Sequence, residues 1–129
     1  YRIEAGNFSR TSGYRAAGTL LSGSRPPGCI MTVCDRTALG VFDYCRDHRI
    51  GIPEELSVIG FDNFHAAADM FPPLTTINNP VTRSGRAAAG MLIDILEGKR
   101  DRPSILRLPT ELVVRSSVGR VTADSQQGV

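Results

Sequence analysis

Apolar residues along the chain fall into short, nearly continuous runs that alternate with longer mixed stretches of helical spacing. Residues 9–21 place Tyr14, Ala17, Leu20 and Leu21 on one face of a helix that Ser9, Thr11 or Ser12 can cap. Gly23 and Pro26-Pro27 end it. Residues 29–33, Cys29-Ile30-Met31-Thr32-Val33, form a run of buried-strand length. Asp35 then reads as the cap of a second helix reaching residue 49, with Gly51 suited to the left-handed position past its end. The apolar residues of this helix, Ala38, Leu39, Val41, Phe42 and Cys45, spread wider than one stripe, so it should touch neighbours on two sides.

The alternation continues. Residues 56–61 are a second strand that ends in an acid, Asp62. Ala66-Ala67-Ala68 favours a short helix that Pro72 stops. Thr75-Thr76-Ile77 is β-branched and extended. Asn79 then caps, and Pro80 opens, a helix running to residue 97, with Gly98 just past its end. Its apolar face is Val81, Ala88, Met91, Leu92, Ile95 and Leu96. Residues 104–108 and 111–115 read as two strands broken by Pro109, and the polar chain from Gly119 onward reads as a frayed tail.

Strand and helix in alternation predict an α/β fold with a parallel sheet flanked by helices. Three strands, ending near Ile3, Val33 and Phe61, are each followed by a loop at one edge of such a sheet. Ligands of open α/β sheets bind outside the carboxyl ends of the strands. Phe8, Cys34-Asp35 and Asp62-Asn63 are thereby expected near one another. An acid just past a buried strand suits a ligand hydroxyl or ring N–H; the competing reading is a turn residue bonded to its own backbone.

Charge and composition narrow the function classes. The chain has 129 residues, average composition and a net charge of +2. Its basic residues are fourteen arginines and Lys99, scattered, with no stripe of the kind that grips DNA. A single lysine outside any motif argues against P-loop and Schiff-base chemistry. A phosphoacceptor role for Asp62 wants further acids and a nearby lysine; no GxSxG or metal motif occurs, so no catalytic residue, cofactor or metal site is assigned. Cys29, Cys34 and Cys45 lack metal or disulfide spacing and read as free thiols of a reducing cytoplasm. No apolar run is long enough to span a bilayer, so no membrane partner is expected. Tyr1-Arg2-Ile3 has no initiator Met and reads as the end of a strand, as in a piece of a larger protein.

Four blocks, in order, carry a resemblance. They are Gly6-Asn7-Phe8-Ser9 with Ser12-Gly13-Tyr14; Ile52-Pro53-Glu54-Glu55-Leu56-Ser57-Val58-Ile59-Gly60-Phe61-Asp62; Pro73-Leu74-Thr75-Thr76-Ile77; and Leu108-Pro109-Thr110-Glu111-Leu112-Val113-Val114-Arg115-Ser116-Ser117. Together they resemble the effector-binding, periplasmic-binding-protein-like domain of lac repressor family (LacI/GalR) transcription regulators. The resemblance implies residues 1–74 in the C-terminal lobe of a two-lobed sensor. It implies a hinge crossing and an N-terminal-lobe helix over 75–103, return strands over 104–118, and a flexible tail over 119–129.

It further implies a small polar effector, sugar or nucleobase-like, bound between the lobes, with Asp62, Cys34, Phe8 and Met31 as ligand contacts. Leu39, Phe42, Met70 and Phe71 resemble a homodimer interface. Operator DNA would be reached only through an N-terminal helix-turn-helix outside this chain, in a cytoplasmic dimer. The alternative on the same fold is the substrate-binding protein of a sugar transporter. Cys34 stands where sugar-binding members resemble one another in an Asn, a departure that replaces a strong amide by a weak thiol.

Overall fold

In a computed structural model, residues 1–102 and 104–120 are described; residues 121–129, most of the expected tail, lie outside the described residues. The elements are α1 (Arg10–Leu21), β1 (Cys29–Met31), α2 (Asp35–His48), β2 (Ser57–Asp62), a 3-10 turn (His65–Ala67), β3 (Thr75–Asn78), α3 (Val81–Leu96) and β4 (Glu111–Val113). The four strands form one mixed sheet in the order β1-β2-β3-β4. β1, β2 and β3 are parallel, in register Ile30 to Val58 and Phe61 to Ile77. β4 returns antiparallel, setting Ile77 opposite Leu112 and Asn78 opposite Glu111. The α/β class with a largely parallel sheet matches the alternation in the sequence.

The core lies between α2 and the sheet. Ile30, Val58, Leu56 and Leu74 from the strand region meet Ala38, Val41 and Cys45 of α2, with Ala17 of α1 behind them. Leu39 and Phe42 are half-buried and pack against this cluster, so the wide apolar arc of α2 is partly spent on its own domain. α1 crosses α2 at two glycines. A Cβ on Gly13 would collide with the Thr37 carbonyl, and one on Gly40 would collide with the Arg10 carbonyl and lie 2.5 Å from the Tyr14 nitrogen. Backbone touches backbone there, and no side chain fits between.

One local expectation is met and three are corrected. Ser9 does cap α1, its hydroxyl accepting the Ser12 N–H at 3.0 Å. Asp35 does not cap α2: that position belongs to Cys34, which makes no side-chain cap bond, and Asp35 is turned inward instead. The left-handed residue that ends α2 is Arg49, φ 58°, and not Gly51. Asn79 does not cap α3, whose cap residue is Pro80; the Asn79 amide is drawn to Asp62. Asp35 and Asn79 each find a tertiary partner in place of the local one.

Two expected strands do not form. Residues 1–3 close no ladder; Arg2 and Ile3 line a cavity of about 390 Å³ together with Met31 and Val33. Residues 104–108 pair with no strand; they share an open groove with Ala88 and Met91 of α3, and Ile105 and Leu106 stay exposed. α3 itself has no buried residue, and Leu92, Ile93 and Leu96 stay exposed.

Outside the core, Arg10 of α1 is hydrogen-bonded to Asp43 of α2 through Nε, and through Nη2 at 2.7 Å; Arg46 adds a contact at 2.9 Å. The Arg10 hydrogen bond, with both guanidinium charges, holds the Asp43 carboxyl below its ordinary range. A folded value below the unfolded one stabilises the fold above roughly pH 3.9, and that contribution fades as pH falls through the lowered value. Asp43→Asn should therefore flatten part of the acid dependence of the urea midpoint; an unaltered pH profile would remove the pair from the helix contact. Gly40→Ala should cost about 1–3 kcal/mol by forcing the helices apart, read as a lower urea midpoint at unchanged slope.

Candidate functional site

The loops that follow the parallel strands gather at one edge of the sheet, as the βαβ arrangement requires. After β1 come Cys34 and Asp35, after β2 come Asp62, Asn63 and Phe64, and after β3 come Asn79 and Pro80. A cleft of about 660 Å³ opens at this edge. Its polar lining is Asp62, Asn63, Asn78 and Asn79, Thr82 and Arg83 at the start of α3, and Thr110 and Glu111 where β4 begins; Phe64, Pro80, Val81 and Pro109 give it apolar walls. Both passages of chain between sheet and α3 thus form its walls.

Asp62 is half-buried, and its Oδ1 accepts the Asn79 side-chain N–H at 3.3 Å. Asp62 and Asn63 both hold left-handed backbone, φ 107° and 54°. For non-glycine residues that costs on the order of 1–3 kcal/mol each and persists only where the surroundings over-determine it. Asn63 is tied on both sides: it donates to Asn78 Oδ1 at 3.3 Å and accepts from Arg115 at 2.8 Å. Arg115 also donates to the Leu74 carbonyl at 2.7 Å, so the segment after β4 grips the turn after β2. Asn63 is thus spent on holding the turn, while Asp62 keeps acceptor capacity toward the cleft.

The other sequence-selected residues lie apart from Asp62. Phe8, 61% exposed and left-handed at φ 62°, lines the cavity beside β1 together with Met31, which is 63% exposed. Cys34 is buried, with Sγ 3.3 Å from the Thr37 hydroxyl and 3.8 Å from the Phe8 carbonyl. Its thiol therefore anchors the Phe8 backbone. Phe8 and Met31 come together, Cys34 touches that pair from below, and Asp62 lines a different cleft. Of the residues resembling a dimer surface, Met70 is buried in the core and Phe71 is 96% exposed.

Asn78, Arg115, Thr76 and Glu111 were not singled out in the sequence. Asn78-Asn79 carried a usable signal, since the rule that selects Asp62 applies equally to polar residues just past β3. Arg115 carried none, because its partners are 41 and 52 positions away. Among the described residues no group of three His, Cys, Asp or Glu is placed to hold a metal, and no helix is long and apolar enough to cross a membrane.

The fold has counterparts among known proteins. A model of the periplasmic binding protein-like domain matches residues 1–118. The chain belongs to that family, in the form found in the effector domain of LacI-family transcriptional regulators. It is 36% identical over 118 residues to the HTH-type transcriptional repressor PurR of Glaesserella parasuis serovar 5 (strain SH0165), covering 87% of this chain and 35% of that protein. A LacI family regulator from Enterococcus faecium with bound ribose superposes with a TM-score of 0.83 at 28% identity, covering 90% of this chain and 42% of that one. The regulator CelR in complex with cellobiose gives 0.83 at 31% identity, over 87% and 34%. The chain spans about a third of the length of the curated relatives it matches.

The thiols differ in accessibility. Cys45 is buried, and burial, with a smaller contribution from the Glu55 charge, pushes its thiol up to about 11. Cys29 is exposed, with a thiol raised by partial burial alone. A thiol-reactive probe should label Cys29 first in the native protein and reach Cys45 only on unfolding. Mass mapping of the labelled peptides checks the order, and early modification of Cys45 would contradict the packing of α2.

Proposed function

We propose that this chain is the effector-sensing part of a cytoplasmic DNA-binding transcription regulator. A small polar metabolite, sugar or nucleobase-like, binds at the carboxyl edge of the sheet, between two lobes. The observation that carries this reading is the cleft at Asp62, whose walls come from the sheet on one side and the start of α3 on the other. A ligand bridging those walls favours one relative setting of the two, and a difference in affinity between settings is what shifts a coupled DNA site. The names of the relatives favour a regulator over a transporter's binding protein, and the sugars bound in two solved neighbours favour a hydroxyl-rich effector.

In this reading residues 1–74 belong to one lobe, 75–103 cross to the other, and 104–118 return. Asp62 accepts hydrogen bonds from the ligand in this cleft, while Phe8 and Met31, with Cys34 against the Phe8 carbonyl, offer apolar walls in the separate cavity beside β1. The regulator works as a homodimer through the outer side of Leu39 and Phe42 and the exposed Phe71, with Met70 kept in the core, and reaches operator DNA through a helix-turn-helix outside this chain.

A thermal-shift screen of pentoses, disaccharides and nucleobases against the full-length protein tests the reading, because a ligand of the folded state raises the melting temperature. With the ligand so found, Asp62→Ala should weaken binding by roughly 1–3 kcal/mol, the cost of leaving a buried ligand donor unpaired. An unchanged calorimetric affinity would remove Asp62 from the site.

A further inference from the structure

Asp35 is 1% exposed, at the first residue of α2, and does not line the cleft. A buried carboxylate is costly unless its oxygens find donors. Among the described residues no cation pairs with it. Its donors are of another kind. Oδ1 accepts the Thr76 hydroxyl of β3 at 2.6 Å, and Oδ2 accepts the Phe64 backbone N–H at 2.9 Å. The Thr76 oxygen in turn accepts the Asn63 N–H at 3.4 Å. Both backbone donors that follow Asp62 are therefore held by one carboxylate, one directly and one through a hydroxyl. Gly60 makes the room: a Cβ there would collide with Asp35 Oδ1 and come within 2.7 Å of Leu74 Cδ2.

We infer that Asp35 is a positioning residue. From inside the core it fixes the left-handed turn at Asp62 and Asn63, so that the Asp62 carboxylate faces the polar cleft. Strained backbone needs anchors, and the donors available to this turn are the N–H groups of Asn63 and Phe64. Arg115 and Asn78 hold the Asn63 side chain but leave those N–H groups untouched. Asp35 and Thr76 supply what they lack. The consequence for a ligand rests on the proposed site at Asp62; the consequence for the turn does not.

The test uses the full-length protein and two readouts: hydrogen exchange of the peptide 60–65, followed by mass spectrometry, and calorimetry with ribose as the probe. Asp35→Asn keeps the shape but sets an NH₂ against one of the two donors. It should speed exchange in peptide 60–65 by about tenfold or more while leaving α1 peptides unchanged. Ribose affinity should fall by a similar factor. Thr76→Val should act in the same direction, and Thr76→Ser, which restores the hydroxyl, should recover both readouts. If Asp35→Asn does not fold, the two Thr76 variants decide alone. Exchange of peptide 60–65 unchanged in Thr76→Val, or raised evenly across the domain, overturns the inference. A wild-type protein that does not bind ribose counts against ribose as effector, and exchange still rules on Asp35.

Discussion

One buried carboxylate ties together the elements that build the polar edge of this sheet. Asp35 opens α2, where a negative group also meets the positive end of the helix. It reaches over Gly60 of β2, takes the hydroxyl of Thr76 on β3, and takes the N–H of Phe64. Removing water from that carboxylate is costly, so the geometry around it is exacting: the residue below it must be glycine, and the donors must come from two different strands or their loops. The adjoining side chains then adapt to this arrangement. Asn63 bridges Arg115 and Asn78, and Asp62 is left half-buried at the cleft.

The rest of the chain divides by how its backbone is supported. Residues from α1 to β3 surround one apolar cluster, with α1 set against α2 at the closest approach two helices allow. From Val81 to about residue 108 the chain leaves that cluster, and α3 has no buried position. It is brought back by β4 and by a short hydrogen-bonded staple. Ser117 donates to the Val58 carbonyl at 2.6 Å and accepts the Thr75 N–H at 2.8 Å, while the Arg115 N–H meets the Thr75 hydroxyl at 2.9 Å. The outgoing strand β3 and the incoming segment are thus paired side by side, at the point where the cleft opens.

Periodicity carried most of the element order. Continuous apolar runs marked β1 and β2, helical spacing marked α1, α2 and α3, and prolines and glycines marked their ends. The loop-edge rule for parallel sheets brought Asp62 to notice from one strand alone, and the four motif blocks pointed to the family to which the chain belongs. These are local or statistical signals, and each can be read without knowing what packs against what.

What the chain could not reveal by itself is where competing partners settle. Asp35 has the identity and position of a helix cap, yet its carboxylate turns inward because Thr76 and Phe64 offer it better donors 41 and 29 residues away. Asn79 has a cap's position and bonds Asp62 instead. Residues 104–108 have strand composition and pair with no strand. Phe8, Met31 and Asp62 all lie near strand ends, yet they line two clefts and not one. Sequence alone marked most of the segments that become helix or strand, because that depends largely on spacing within a dozen residues. Tertiary structure decided which polar group meets which, because a buried hydrogen bond is chosen by proximity in the folded chain, and the sequence does not record proximity.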